Sequence, residues 1–451
     1  MEIEKYDLAV IGSGPAGYVA AIEAAQAGKT VVLFEKENLG GVCLNKGCIP
    51  TKTIIASAEK YKALSHMADF GINVENYSLD FSKVMERKNS VIEKLRKSLE
   101  TLIKSNGVKI VMQEATKDKK LSEERKTLVY KTPTDEYFEA EKAIISIGSK
   151  PREIKGLEFD HKFILNSDDI LNLTTLPTNI TIVGSGAIGT EWARIFASFG
   201  VNVSVVELAE KLIPNADGEI SKRVERLFKS EKINFYTSNS IKKIDGKKVI
   251  LQNDKEIETD IILVATGRVP NSYELSEGET LVGDAAGEIQ LAHYASKQAT
   301  NLVKNWYKGE QSNKFLTPAV IYGYPEIAWV GETEESLTKN NVEYETKTYL
   351  MSSLGKARAD GDTTGFIKVI ADKNKEYILG AHIICKEASA ILHQFSILME
   401  NKIKIKDAVE SVCFAHPTYS EGVSDVLAQF LKWLKHFKAH SDNSQNQKQL
   451  H

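Results

Sequence analysis

Cys43 and Cys48 stand in the run Gly40-Gly41-Val42-Cys43-Leu44-Asn45-Lys46-Gly47-Cys48-Ile49-Pro50-Thr51-Lys52, directly after a glycine-rich loop of the kind that holds a nucleotide. Two sulfurs so placed read as a redox disulfide beside a dinucleotide, a pair that trades electrons through thiolate attack on sulfur. The alternative is two cysteines that only pack, but a reducing cytosol rarely keeps a close pair for structure alone. An ideal helix would separate residues five apart by about 7.5 Å of rise, beyond the Cα spacing a disulfide tolerates. The turn between them must therefore be distorted, and Gly47 and Pro50 are the residues that permit it. A helix starting near Pro50 and running through Lys52-Thr53-Ile54-Ile55-Ala56 would aim its positive end at Cys48 and favour the thiolate.

Near the C-terminal end, Phe414-Ala415-His416-Pro417-Thr418-Tyr419-Ser420-Glu421 sets an imidazole ahead of a proline, with an acid five residues on. The proline biases His416 toward an extended backbone, and Glu421 could orient the ring so that it takes a proton from a thiol. Taken alone, His416 is one of nine histidines and would pass for an ordinary residue. The cysteine pair upstream raises it to a candidate base.

These groups need a cofactor scaffold, and the chain carries one twice. Tyr6-Asp7-Leu8-Ala9-Val10-Ile11-Gly12-Ser13-Gly14-Pro15-Ala16-Gly17 is echoed by Asn179-Ile180-Thr181-Ile182-Val183-Gly184-Ser185-Gly186-Ala187-Ile188-Gly189. Each copy predicts a strand, a three-glycine turn, an alanine-rich helix and a second strand ending in an acid, Glu35 or Glu207. A lone three-glycine match is weak, whereas the whole unit at the same glycine-to-acid spacing twice predicts two bound dinucleotides. In each, Gly12, Gly14 and Gly17 or Gly184, Gly186 and Gly189 let the backbone approach a pyrophosphate, and the acid accepts from a ribose hydroxyl. Glu207 puts a carboxylate where a 2′-phosphate would sit, and only Leu208-Ala209-Glu210-Lys211 follows it, with no arginine pair. NAD is expected there rather than NADP. Gly283-Asp284, after the short apolar strand Thr280-Leu281-Val282, could set a carboxylate against a polyhydroxyl chain.

The remaining composition bounds the answer. The 451 residues imply several cores, 42% hydrophobic and 26% charged residues are ordinary for a soluble globular chain, and a net charge of −3 offers no basic field for nucleic acid or membrane. Four cysteines exclude a disulfide-stapled scaffold, and Cys385 and Cys413 read as small core residues. Residues 1 to 5 are a short polar lead, neither signal nor transit sequence, and no run is apolar enough to span a bilayer, so a cytoplasmic location is expected. No metal is expected. Residues 81 to 105 predict a solvent-facing amphipathic helix, and 108 to 147 a β-meander returning to Ala143-Ile144-Ile145-Ser146-Ile147-Gly148. The second copy returns through Ile261 to Thr266 and Gly267. From Phe315 the pattern changes to strands at Ala319–Tyr322, Gly365–Ile370 and Tyr377–Ile384, then helices over Ala388–Met399 and Asp407–Val412. The polar end, from His440, reads as a tail.

On these motifs the chain resembles the dihydrolipoamide dehydrogenase family, the E3 components of 2-oxo-acid dehydrogenase complexes among the flavin disulfide reductases. The resemblance runs from about residue 5 to 435 and is most specific at Gly41 to Pro50 and at His416-Pro417-Thr418 with Glu421. It implies an α/β fold with two Rossmann-like dinucleotide-binding domains and a C-terminal α+β dimerisation domain. An FAD domain over 1–150 would carry the redox pair, an NAD domain would span 151–271, and a shortened return segment, 272–314, would complete the FAD domain. A dimerisation domain over 315–438 and a tail over 439–451 would follow. Cys48 would face the flavin, Cys43 would exchange with substrate, and Lys52 and Glu191 would form an ion pair beside the ring. Gly148, Asp284 and Ala292 would line FAD, and Gly267 would line NAD. In the homodimer His416 and Glu421 would complete the partner's site. Lipoyl domains of 2-oxo-acid dehydrogenase complexes or of the glycine cleavage system would be the protein partners. The chain departs from the family where Ser272 to Val282 is short, and where Phe414 replaces a second histidine. The alternatives are a glutathione- or mercuric-type reductase, or an impaired subunit that keeps only the fold and the dimer.

Overall fold

The computed structural model describes residues 2–311 and 314–431; the expected tail over 439–451 lies outside them. The first unit begins with β1 (Ile3–Ile11), α1 (Pro15–Gln26) and β2 (Val31–Phe34). Two helices carry the cysteines, α2 (Gly41–Lys46) and α3 (Cys48–Leu64). The predicted amphipathic helix follows as α4 (Phe81–Ser105), capped by the Asp80 carboxylate accepting from the Lys83 N–H. Then come β3 (Lys109–Val111), β4 (Thr116–Lys117), α5 (Lys119–Arg125), β5 (Leu128–Lys131) and β6 (Tyr137–Ile145). The expected meander over 108–147 is thus only partly present. β3 lies parallel to β2, and the antiparallel ribbon β4-β5-β6 has α5 between its first two strands, started by Asp118 accepting from the Leu121 N–H.

A short β7 (Ser149–Pro151) leads into the second unit. There β8 (Ile164–Leu165), β9 (Asn179–Val183), α6 (Ala187–Ser198), β10 (Asn202–Val206), α7 (Gly218–Ser230) and β11 (Asn234–Tyr236) precede a three-stranded ribbon of β12 (Ile241–Asp245), β13 (Lys248–Leu251) and β14 (Glu256–Glu258). With β15 (Ile261–Val264) the unit closes a five-stranded sheet in the order β11-β10-β9-β15-β8, parallel throughout. β16 (Arg268–Pro270) pairs antiparallel with β7, forming the two-stranded link between the units.

The chain then returns to the first unit as β17 (Glu279–Leu281) and α8 (Ala292–Lys308). β6 is long enough to be shared along one edge. β5 pairs with its first half at Tyr137 to Ala140, and β17 lies parallel to its second half at Ala143 to Ile145. The short segment from Ser272 therefore still yields the strand that precedes Gly283-Asp284 and covers that edge. Its anchor is Glu279, almost fully buried, which accepts from Tyr130 Oη at 2.6 Å, Tyr273 Oη at 2.7 Å and Lys117 Nζ at 2.7 Å. A buried carboxylate with that many donors is satisfied.

The last unit is a five-stranded antiparallel sheet, β18 (Ala319–Ile321), β19 (Glu326–Gly331), β20 (Tyr344–Leu350), β21 (Phe366–Asp372) and β22 (Ile378–Cys385), in the order β18-β19-β22-β21-β20. α9 (Glu334–Lys339) and α10 (Gly355–Ala359) sit in its connections, and α11 (Ala388–Glu400), α12 (Ile405–Ser411) and α13 (Glu421–Ala428) follow it. Ile391, Leu392 and Phe395 of α11 pack with Val330, Ile367 and Ile383 of the sheet. A charged cluster joins this unit to the second one. The Lys368 ammonium lies 2.6 Å from Asp217 and also meets Glu334, and both Lys368 and Asp217 are buried. Cys385 is buried as expected, but Cys413 is exposed, because it lies beyond the end of α12 in a segment off the core. Among the described residues no helix is long and apolar enough to cross a membrane.

Candidate active site

The cysteines sit at a helix break. Cys43 lies inside α2, Gly47 leaves helical geometry with φ −147° and ψ −109°, and Cys48 is the first residue of α3. The helix thus starts two residues before the predicted Pro50, which places the Cys48 sulfur at the positive helix end itself. A side chain at Gly47 would put its Cβ 3.1 Å from the Val42 carbonyl oxygen, a tight approach that glycine avoids. α2 is braced by Asn45, whose amide donates to the Leu39 and Gly41 carbonyls at 2.9 Å and whose oxygen accepts from Arg96 on α4 at 2.8 Å.

Both thiols are unbridged in this structure, and they differ in proton affinity. The Cys43 thiol donates to the Cys48 sulfur and the Lys52 ammonium lies nearby; together these outweigh burial and draw the Cys48 thiol well below its ordinary range. Cys43, which must keep its proton to donate and is itself buried, moves far up. Lys52, one turn along α3, reaches α6 and holds Glu191 by both oxygens at 2.8 and 2.9 Å, while its ammonium sits 4.6 Å from the Tyr322 ring centre. The Tyr322 N–H donates to the same carboxylate at 3.0 Å.

One cleft of about 1750 Å³ connects these groups to both glycine loops, and its lining includes Gly12, Gly14, Glu35, Gly148, Asp284 and Ala292 as well as Gly184, Gly186, Glu207 and Gly267. That is larger than an ordinary small-molecule pocket of roughly 300–1,000 Å³ and suits two extended ligands. The residues fit dinucleotides. α1 and α6 both start at a glycine with no side-chain cap and no acid in the first turn, leaving their N–H groups and positive ends free for a pyrophosphate. Gly17 and Gly189 do not face the cleft but let helix and loop touch, since a Cβ there would fall 1.8 Å and 2.0 Å from the Gly12 and Gly184 carbonyl oxygens. Gly148 and Gly267 have open space where a Cβ would stand.

Asp284 is held from an unexpected side. It accepts from Ser149 Oγ at 2.6 Å, and Arg268 donates to that same hydroxyl at 2.8 Å and to the Ser149 carbonyl at 2.7 Å. The Arg268 guanidinium, largely buried, also approaches Ser167 and Asp168 of the second unit. The sequence reading missed Arg268, Ser149 and Arg96 because their partners lie far away in the chain, and Asn45 because its bond to Arg96 spans 51 positions.

His416 and Glu421 form the expected pair, Nδ1 to Oε1 at 2.8 Å, and the Thr418 N–H donates to the other carboxylate oxygen at 2.8 Å. With Nδ1 facing the acid, Nε2 is the nitrogen free for proton transfer. Glu421 is held below its usual range by the histidine and by that N–H. The ring itself is 78% exposed, and neither residue lines the cleft that contains the cysteines of the same chain.

Residues 6–302 match the model of the pyridine nucleotide-disulphide oxidoreductase family, and 317–427 match that family's dimerisation domain. The chain is 32% identical to a dihydrolipoyl dehydrogenase of Bacillus subtilis, covering 93% of this chain and 97% of that one. It is 33% identical to the enzyme of the same name from Chlamydia pneumoniae, over 93% and 95% of the two chains. Among solved structures, LpdA from Mycobacterium tuberculosis superposes with a TM-score of 0.85 at 20% identity, covering 95% of this chain and 100% of that one. The HOCl-induced flavoprotein disulfide reductase RclA from Escherichia coli superposes at 0.80 and 23%, covering 94% and 99%; at such identities these likenesses speak to the fold. The family binds FAD and a pyridine nucleotide, and its dimerisation domain supports a homodimer. With cysteine pair, two nucleotide loops and dimerisation domain in one chain, the protein belongs to the pyridine nucleotide-disulphide oxidoreductase family as a flavoprotein disulfide oxidoreductase.

Proposed function

We propose that this chain oxidises dihydrolipoyl groups, passing two electrons through Cys43 and Cys48 and bound FAD to NAD. The observation that carries the reading is the asymmetry of the pair, with Cys48 at the first residue of α3 beside Lys52 and drawn toward its thiolate. In the oxidised pair, a dihydrolipoyl thiolate attacking Cys43 forms a new S–S bond, breaks Cys43–Cys48 and expels Cys48, the better leaving group. The second dihydrolipoyl sulfur, losing its proton, then attacks its neighbour; oxidised lipoyl leaves, and Cys43 departs as a thiolate and takes up a proton. The net change is one substrate S–S bond made, one protein S–S bond reduced and two electrons retained. When bound, FAD supplies the two-electron relay between that sulfur and the nicotinamide.

The protein's own tasks are alignment and proton handling. Lys52 steadies the Cys48 thiolate and is in turn held by Glu191. The partner subunit's His416, oriented by its own glutamate, accepts the substrate thiol's proton at Nε2. On this reading residues 1–150 with 272–314 hold FAD, 151–271 hold NAD, 315–438 form the dimer, and lipoyl domains of 2-oxo-acid dehydrogenase complexes or of the glycine cleavage system deliver the substrate. The relatives named dihydrolipoyl dehydrogenase support the choice of dithiol.

The test is an anaerobic titration of the purified flavoprotein with dihydrolipoamide, followed in the visible spectrum, and then addition of NAD. Long-wavelength absorbance from thiolate beside flavin, reversed by NAD, is the expected result. Flavin that never responds to the dithiol would overturn the reading.

A further inference from the structure

Each nucleotide loop carries a serine that the glycine pattern does not require. Ser13 and Ser185 occupy the same place in the two copies, between the first and second glycines, and both are fully buried. Ser13 Oγ lies 2.5 Å from Glu35 Oε2 and Ser185 Oγ 2.8 Å from Glu207 Oε2. In both copies the serine N–H donates to that same oxygen, at 3.1 and 2.8 Å. The hydroxyl also accepts a backbone N–H from the loop beyond the acid, from Gly40 in the first copy and Ile213 in the second, each at 3.1 Å. A carboxylate can only accept. The hydroxyl proton therefore points at the acid, and each serine ties the glycine loop, the acid and the following loop together.

The arrangement leaves the acid with little freedom. A carboxylate offers about four acceptor positions. Oε2 takes two donors from the serine, and Oε1 takes one from the backbone N–H two residues on, Glu37 or Ala209, at 2.8 Å in both copies. One acceptor position remains, on Oε1. A ribose hydroxyl can fill it, whereas a 2′-phosphate brings more acceptor oxygens and like charge.

We infer that Ser185 is a specificity-determining positioning residue, which acts through Glu207 to admit the ribose hydroxyl of NAD and reject the 2′-phosphate of NADP; Ser13 fixes Glu35 in the same way for the first dinucleotide. This rests on the reading that the second unit holds the nicotinamide nucleotide. Without the hydroxyl, Glu207 keeps its charge but gains the freedom to turn away, so the loss falls on discrimination rather than on chemistry.

Isothermal titration of the FAD-loaded dimer with NAD and with NADP tests it, using Ser185→Ala, Ser185→Cys, Glu207→Gln and the Ser185→Ala/Glu207→Gln double variant. The cysteine variant fills the serine's space with a poor donor, which covers the case in which alanine disturbs folding; an unchanged flavin spectrum reports an intact first unit. Glu207→Gln is expected to lower the ratio of NADP to NAD dissociation constants about tenfold or more, and each Ser185 variant to lower it in the same direction by about tenfold. The double variant should fall no further than Glu207→Gln, because one residue acts through the other. In steady state Ser185→Ala should raise KM for NAD with kcat unchanged. A ratio within about twofold of the parent's in both Ser185 variants, or effects that add in the double variant, would overturn the inference. If Glu207→Gln alters neither nucleotide's affinity, the placing of NAD in the second unit fails first.

Discussion

The Lys52 ammonium spans both oxygens of Glu191, 2.8 and 2.9 Å away, so the helix that begins with Cys48 is bolted to the helix that begins at the second glycine loop. The bond joins the sulfur's electrostatic environment to the placement of the second nucleotide unit. Glu191 is nearly buried and Lys52 about one-third exposed, which leaves the pair only partly screened by solvent.

The two partners push the Cys48 thiol in opposite directions, Lys52 down and Glu191 up. In the reduced parent protein the Cys43 hydrogen bond, together with Lys52, sets the midpoint of Cys48 thiolate formation below the ordinary thiol value. Lys52→Met should move that midpoint up, and Glu191→Gln should move it down. Ultraviolet thiolate absorbance of the reduced enzyme against pH reads both, and shifts of the same sign in the two variants would contradict the arrangement.

Because His416 does not line its own chain's cleft, a shared site predicts complementation. Cys48→Ser and His416→Ala homodimers should each be inactive. Unfolding and refolding them as an equal mixture should restore about a quarter of parental activity, since about half the dimers are hybrids and each hybrid has one complete site. An inactive mixture would mean that histidine and cysteines work within one chain.

Arg268 and Asp284 meet through Ser149. Arg268→Met removes the donor that orients the hydroxyl and leaves buried acceptors short of a partner, so FAD affinity should fall about tenfold. The flavin-to-protein ratio after dilution and gel filtration measures it. Arg268→Lys should retain more flavin than Arg268→Met.

Lys368 and Asp217 are both buried, 4% and 1% exposed. Removing one member leaves an uncompensated charge, so Lys368→Met should cost about 3–5 kcal/mol in thermal or urea unfolding. Burial alone would raise the Asp217 pKa, but its bond to Lys368 and nearby charges outweigh burial and lower it. Its stabilisation is therefore present above the unfolded carboxyl value of about 3.9 and is lost as pH falls through the lower folded value. The parent should lose more stability than Lys368→Met on acidification into that window.

The parts of the site legible in the sequence are those whose chemistry is local. Gly12 to Glu35, Gly184 to Glu207 and Cys43 to Cys48 each lie within one short stretch, where backbone approach and helix polarity dictate residue types. β20 gives little signal because Tyr344-Glu345-Thr346-Lys347-Thr348 is a sheet edge with largely polar side chains, and α5 because a single leucine among six polar residues gives no apolar period. Arg268, whose hydrogen-bond partners Ser149 and Ser167 are 119 and 101 positions away, leaves no spacing signature at all. The serines of the two loops stood in plain view, but a residue between glycines carries no period, and only the distance to the acid reveals its use.

The shared edge of β6 carries a consequence for biosynthesis. β17 and α8, whose Ala295, Ala299 and Val303 pack with Ala16, Ala20 and Ala24 of α1, come from residues 279 to 308. A growing chain therefore exposes the alanine face of its first helix until the entire second unit has left the ribosome. At about 5–20 residues per second the nascent first unit waits on the order of ten seconds for its closing strand. That interval is set by connectivity alone, because the strand that closes the first sheet's edge follows the whole second unit in the chain.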